Sequence, residues 1–226
     1  MKLTNRLSVE QKNSIGTRTV ETVDKRLEDI LRRKPEPDMF YKRITEIFDK
    51  HLNTQNNYLK LLSLLPSNHP AFRGFLAKIT NYSTRDHNGN NVLHILLNKD
   101  MLRTIVEQEF YRLNLWESDN KMGVKPLDLL LTKLFKDDNK GRDDVIVILR
   151  YLINNRILSD YMAKHVADSL LGFYQNTKDQ RLLDLLVDLG KKYGKNTVNS
   201  VAKEIIKLDV VKNNYQEYLL WEHYTK

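Results

Sequence analysis

Asp86-His87-Asn88-Gly89-Asn90-Asn91-Val92-Leu93-His94 runs straight into Ile95, Leu96 and Leu97. Asn120-Lys121-Met122-Gly123-Val124-Lys125-Pro126-Leu127-Asp128 runs into Leu129, Leu130 and Leu131 in the same way. The two stretches share a register: Gly89 and Gly123 are 34 residues apart, and so are Leu93 and Leu127. A further step of 34 towards the N-terminus lands on Leu59, at the head of the apolar run Leu61, Leu62, Leu64 and Leu65. A fixed period of this length marks a repeat architecture. The residue types explain the pattern. Gly permits the positive φ of a tight turn. Asp86 and Asn120 are suited to bind nearby backbone amides as Asx turns. Pro126 fits the first helical turn, where no N–H partner is lost. Each unit therefore reads as turn, short helix, connector and second helix. Leu59, Leu93 and Leu127 are expected to stack between units, because a single unit cannot bury its own apolar face.

The second helices follow from apolar spacing at three and four residues. The first is expected over about 69–79, with Phe72, Phe75, Leu76 and Ile79 on its inner face. The next covers 101–113, with Leu102, Ile105, Val106 and Phe110. The third covers 144–154, with Val145, Val147, Ile148, Tyr151 and Leu152. The polar stretch 136–143 before it reads as an insertion.

This pattern resembles the ankyrin repeat, a unit of about 33 residues with a turn, two antiparallel helices and a T-P-L-H-like helix start. Asp86, Gly89, Asn91, Val92, Leu93 and His94 stand at the D-x-x-G-x-T-P-L-H positions. Asn120, Gly123, Lys125, Pro126, Leu127 and Asp128 stand there in the next unit. The departures are specific. Asn91-Val92 replaces Thr-Pro, Asp128 replaces the His, and the small residues of the first helix are Leu. The Gly between the helices is missing, and the earliest unit has no Gly turn. The resemblance implies a stacked α-solenoid whose turns project to one side as fingers. It also implies that His94 is structural, binding the backbone of a neighbouring turn.

The flanks continue helical without the period. Residues 1–16 read as a loose arm. Residues 17–52 read as two capping helices, divided by Pro35 and Pro37, with Asp38 as a cap for the second. Residues 53–155 hold the repeats, and 156–226 form a C-terminal helical region that continues the stack. There Ser159 caps a helix carrying Met162, Val166, Leu170 and Phe173, and Gly194 stops the leucine-rich helix that begins at Gln180. The last stripe, over 210–224, is rich in Tyr and contains Trp221; it either docks on the stack or binds something. The expected fold class is all-α: an α-solenoid of stacked helical hairpins, with ankyrin-like repeats in the middle and irregular capping helices at both ends.

Composition narrows the function. The 226 residues are 41% hydrophobic and 29% charged, which is globular rather than disordered composition. Gly 8 and Pro 5 are too few for a turn-rich all-β fold. Cys 0 excludes disulfides, thiolate nucleophiles and Cys-ligated zinc. No apolar run reaches the roughly 20 residues that span a bilayer. The polar segment 1–12 has no signal-peptide core, so a cytoplasmic protein is expected. The net charge of +8 is spread among interleaved acids and bases rather than gathered in a tail.

No catalytic signature stands in the chain. The histidines lack metal-ligand spacing, no Gly-rich phosphate loop occurs, and the acidic run 137–144 fails the spacing of a calcium loop. No catalytic residue, metal site or cofactor is therefore expected, and the expected function is non-catalytic recognition of another protein. The candidate binding residues are those of the fingers and first-helix starts: Arg85, His87, Asn88, Asn90, Asn91, Trp116, Asp119, Lys121, Met122, Val124 and Lys125. Their Arg and Lys point to an acidic partner surface. The alternative is a basic surface that binds nucleic acid or anionic lipid. Short, divergent ankyrin-like proteins with extra helices also resemble effectors that intracellular bacteria deliver into host cells, which would place this chain in the host cytoplasm.

Overall fold

A computed structural model describes residues 55–135 and 139–225, together with Met39 and Lys42. The expected arm over 1–16 and nearly all of the capping segment 17–52 lie outside the described residues. Every regular element among the described residues is helical. They fall into two compact units that divide between Asn81 and Tyr82. The repeat of Leu59 belongs to the first, and the two Gly-turn repeats belong to the second.

In the first unit, α1 (Gln55–Leu64) packs on α2 (Ala71–Leu76). Leu59, Leu61 and Leu62 of α1 are buried, as are Phe72, Phe75 and Leu76 of α2, and Ile79 follows as expected. The rings of Tyr58 and Phe75 sit 6.4 Å apart. The second helix is shorter than its apolar stripe suggests. Pro70 stands at its N-cap, and the stripe runs on through turns at Ala77 and Ile79.

The second unit holds α3 (Val92–Asn98), α4 (Leu102–Glu107), α5 (Pro126–Thr132), α6 (Asn139–Asn154), α7 (Asp160–Thr177), α8 (Gln180–Tyr193), α9 (Lys195–Ile205), α10 (Asp209–Lys212) and α11 (Tyr215–Thr225). First helices are neighbours, α3 beside α5, and second helices are neighbours, α4 beside α6 and α6 beside α8. Beyond them α8 packs on α7 and α9, and α9 packs on α11. Leu93, Leu96, Leu127 and Leu130 are fully buried in this layer.

Three boundaries differ from the sequence reading. The helix expected over 101–113 ends at Glu107. Glu109 turns left-handed at φ 55, and Phe110–Arg112 forms a separate 3-10 turn that keeps Phe110 buried. The helix expected from Asp144 starts at Asn139, so part of the polar insertion is helical. The final stripe is two helices, α10 and α11, rather than one.

Two connectors between helices close without Gly. After α3, Asp100 takes φ 56, Met101 N–H donates to Leu96 O at 2.9 Å, and Asp100 N–H donates to Leu97 O at 3.1 Å. After α6, Arg156 takes φ 51 with Ile157 N–H on Leu152 O and Arg156 N–H on Ile153 O. Both are Schellman closures, usually built on Gly. The carboxylate of Asp100 is held by Lys133 at 2.5 Å.

The C-terminal aromatic stretch docks. Trp221 is 1% exposed and Tyr224 5%. Tyr224 lies against Gly190 of α8, where a Cβ would stand 2.6 Å from the ring. Asn199 of α9 donates to the Tyr224 carbonyl at 3.0 Å.

Candidate functional site

The two Gly turns are built identically. In the first, Asp86 Oδ1 accepts from the N–H groups of Asn88 and Asn90, both at 2.8 Å. Asp86 N–H donates to Asn90 O, and Gly89 N–H donates to Asp86 O. In the second, Asn120 Oδ1 accepts from Met122 at 2.9 Å and Val124 at 3.0 Å. Asn120 N–H donates to Val124 O, and Gly123 N–H donates to Asn120 O. Gly89 and Gly123 take φ 77 and 74. An Asx side chain at the first position and a residue without Cβ at the fourth are what this geometry requires.

Hydrogen bonds then join one turn to the next. Lys121 N–H donates to Asn88 O at 2.9 Å. Asn120 Nδ2 donates to Asn90 Oδ1 at 2.9 Å. Arg85 Nη1 spans Gly89 O at 3.1 Å and Asp119 O at 3.2 Å. His94 Nε2 reaches Val124 O at 2.9 Å.

His94 also closes the N-terminus of α3. Asn91 Oδ1 accepts from His94 N–H at 3.1 Å, and Asn91 N–H donates to His94 Nδ1 at 3.2 Å, a reciprocal capping box. An accepting Nδ1 assigns the ring proton to Nε2, which donates to Val124 O. Asn91 Oδ1 lies 2.9 Å from Nδ1 as well, so a proton there would find an acceptor but displace the Asn91 N–H. Burial dominates and holds the His94 pKa below its ordinary value, against the raising effect of the Val124 carbonyl. In the next unit Asp128 Oδ2 accepts from Lys125 N–H at 3.1 Å and plays the corresponding part.

The candidate residues divide by exposure. His87, Asn88, Asp119, Lys121 and Met122 face solvent, and Met122 is 82% exposed at the tip of the second turn. Arg85, Asn90, Val124 and Lys125 are half-buried and mostly spent on the turn framework. Two candidates are buried rather than exposed. Asn91 is fully buried and its side chain caps α3. Trp116 is 1% exposed, its indole N–H donates to Tyr111 O at 3.0 Å, and its carbonyl accepts from Leu127 N–H at 3.1 Å. Neither side chain lies on the surface.

Charge around the turns is balanced. Between 82 and 135, Arg85, Lys99, Arg103, Arg112, Lys121, Lys125 and Lys133 are matched one for one by Asp86, Asp100, Glu107, Glu109, Glu117, Asp119 and Asp128. Lys125 is bound to Asp119 at 2.6 Å, a hydrogen bond that raises its pKa, with smaller help from Asp128 and Tyr161. The Lys121 ammonium has no ion pair among the described residues.

The sequence reading missed Tyr161. It is 80% exposed in the first turn of α7, near Lys125. His165 on the same helix stands 3.6 Å from Asp128 of α5. The 34-residue step points to the helix start but not to the exposure, since the residues in step with Tyr161 are fully buried. The helix N-caps Asn91, Lys125 and Ser159 are each 34 residues apart, so the register runs one step beyond Asn155. Leu93, Leu127 and Tyr161 are its equivalent positions. No Gly turn precedes Ser159.

Among the described residues no group of three or more His, Asp or Glu is placed to hold a metal ion, and no helix is long and apolar enough to cross a membrane. Fold and site together define a class: an all-helical protein whose neighbouring first helices are joined by coupled Asx turns. No protein-family model, curated protein or solved structure matches the chain.

Proposed function

We propose that this chain is a non-catalytic protein-recognition module of the ankyrin-like α-solenoid kind, and that its binding edge is the solvent side of the coupled turns with the start of α7. One observation carries the reading: Met122, 82% exposed, sits on a turn that is hydrogen-bonded both within itself and to its neighbour. A large apolar side chain on a preorganised backbone binds without a large ordering cost. Exposed Lys121, His87, Asn88 and Tyr161 supply a polar and aromatic surround. The order of neighbours, first helix beside first helix and second beside second, supports the solenoid. His94 is no general base in this reading, because both ring nitrogens are committed to backbone. The balanced charge of the turns favours a partner that offers an apolar pocket with polar rims. A host cell entered by an intracellular bacterium is the setting we propose, and a translocation assay tests it.

A second reading has one specific support. Lys191, Lys192 and Lys195 are exposed at the corner of α8 and α9, and among the described residues none of them is in an ion pair. Such a corner would serve a phosphate-bearing partner. Affinity capture from lysate at low and moderate salt separates the two. The protein reading expects a discrete partner that is retained at moderate salt and lost with Met122→Ser plus Lys121→Glu. Binding of nucleic acid or lipid that vanishes with salt and ignores this variant would replace it with the second.

A further inference from the structure

We propose that Asn88-Gly89 is a spontaneous deamidation site held in check by the coupled turns, and that its conversion uncouples one turn from the next. It is the single Asn-Gly pair in the sequence. Asn88 is exposed, so water and hydroxide reach it. Gly89 has no Cβ to shield its nitrogen.

The chemistry is self-contained. The Gly89 nitrogen gives its proton to water or hydroxide and attacks Asn88 Cγ. The N–Cγ bond forms, the Cγ–Nδ2 bond breaks, and the side-chain nitrogen leaves as ammonia. Water then opens the succinimide ring. Addition at Cγ leaves aspartate. Addition at the main-chain carbonyl leaves isoaspartate, whose backbone runs through the side-chain carbons and is a methylene longer. Water is consumed, ammonia is released and no redox change occurs.

The fold restrains the nucleophile and the backbone on both sides of the reacting side chain. Gly89 N–H, the nucleophile, donates to Asp86 O at 2.9 Å. Asn88 N–H donates to Asp86 Oδ1 at 2.8 Å. Asn88 O accepts from Lys121 N–H at 2.9 Å. The second turn leaves little room for movement, since a Cβ on Gly89 would lie 2.9 Å from Lys121 N. Reaction therefore waits on local opening, and its rate is the unrestrained rate scaled by the open fraction. The product does not fit the closed state. An isoaspartate backbone carries the Asn88 carbonyl away from Lys121 N–H, and either product adds a carboxylate two residues from that of Asp86.

The test compares the full chain in native buffer with the same chain in denaturant, at one mildly alkaline pH and temperature, by peptide mass spectrometry. Conversion at Asn88 is expected in denaturant and about tenfold slower or more in the native protein, since several hydrogen bonds must open first. Equal rates in the two states, or no conversion in denaturant, would overturn the restraint. Hydrogen exchange on aged protein reads the second half. The Lys121 amide is expected to exchange faster in the converted fraction, and unchanged protection there would overturn the uncoupling.

Discussion

His94 shows how a single side chain can tie a helix start to the next turn and leave a measurable trace. Its Nδ1 caps α3 and its Nε2 holds the next turn, both in a buried setting. Because burial lowers its pKa, the unfolded chain takes up a proton near the ordinary value of about 6.5 while the folded chain does not. More protons on the unfolded state mean that stability falls as pH drops below about 6.5, and that this group adds no pH dependence above it. His94→Leu keeps the bulk but removes both the Nδ1 acceptor and the Nε2 donor, leaving only the backbone half of the capping box. It is expected to destabilise by about 1–3 kcal/mol at neutral pH. It is also expected to flatten part of the acid limb in melts run across that range. A limb of unchanged slope would remove His94 from the account.

The two turn glycines make a paired prediction. Gly123→Ala meets nothing within 4 Å and suffers only left-handed strain, about 1–2 kcal/mol. Gly89→Ala adds a clash with Lys121 N to the same strain. Denaturant melts should therefore rank Gly89→Ala as clearly the more damaging. What the sequence made legible at this scale follows the same chemistry. Asx and Gly positions declare themselves, because few other residues can do their work. Trp116 does not declare itself, because an aromatic residue between Leu115 and Glu117, in an otherwise polar stretch, reads equally well as an anchor or as core. Only the chain folding over it, with Tyr111 and Leu127 taking its hydrogen bonds, decides.

Among the elements, helices announced by a Gly turn are read more easily than boundaries. The 34-residue step exposed α3 and α5 because their starts carry the Asx–Gly signature. The left-handed break at Glu109 had no Gly or Pro to announce it. The helix from Asn139 begins in residues that favour turns and is extended by the packed apolar stripe that follows. The C-terminal helix was readable as aromatic but not as docked, because its dock is a glycine on another helix. Gly190→Ala tests that dock. Alanine would gain about 1 kcal/mol in helix propensity. The new Cβ displaces the buried Tyr224 ring, a penalty of about 1–3 kcal/mol. The expected result is a looser α11 and a red shift of Trp221 emission, with α7 and α8 retained. Unshifted emission and equal stability would show that the ring moves aside freely.

For the whole molecule, the central claim is that neighbouring turns behave as one rigid edge, and that this edge is what a partner meets. Charge bears on it directly. The net +8 of the chain is not carried by the turns, whose acids and bases balance over 82–135, so salt should tune the Lys191–Lys195 corner more than the turns. Rigidity of the edge rests on links between turns rather than within them, and the link from Asn120 Nδ2 to Asn90 Oδ1 is made by side chains alone. A double-mutant cycle on it is the most direct measurement: the stability of wild type, Asn90→Ala, Asn120→Ala and the double variant by denaturant unfolding. The account predicts a coupling of about 0.5–1.5 kcal/mol, the double variant losing less than the two single losses combined. Strictly additive losses would contradict it, since the turns would then be independent loops that happen to lie side by side.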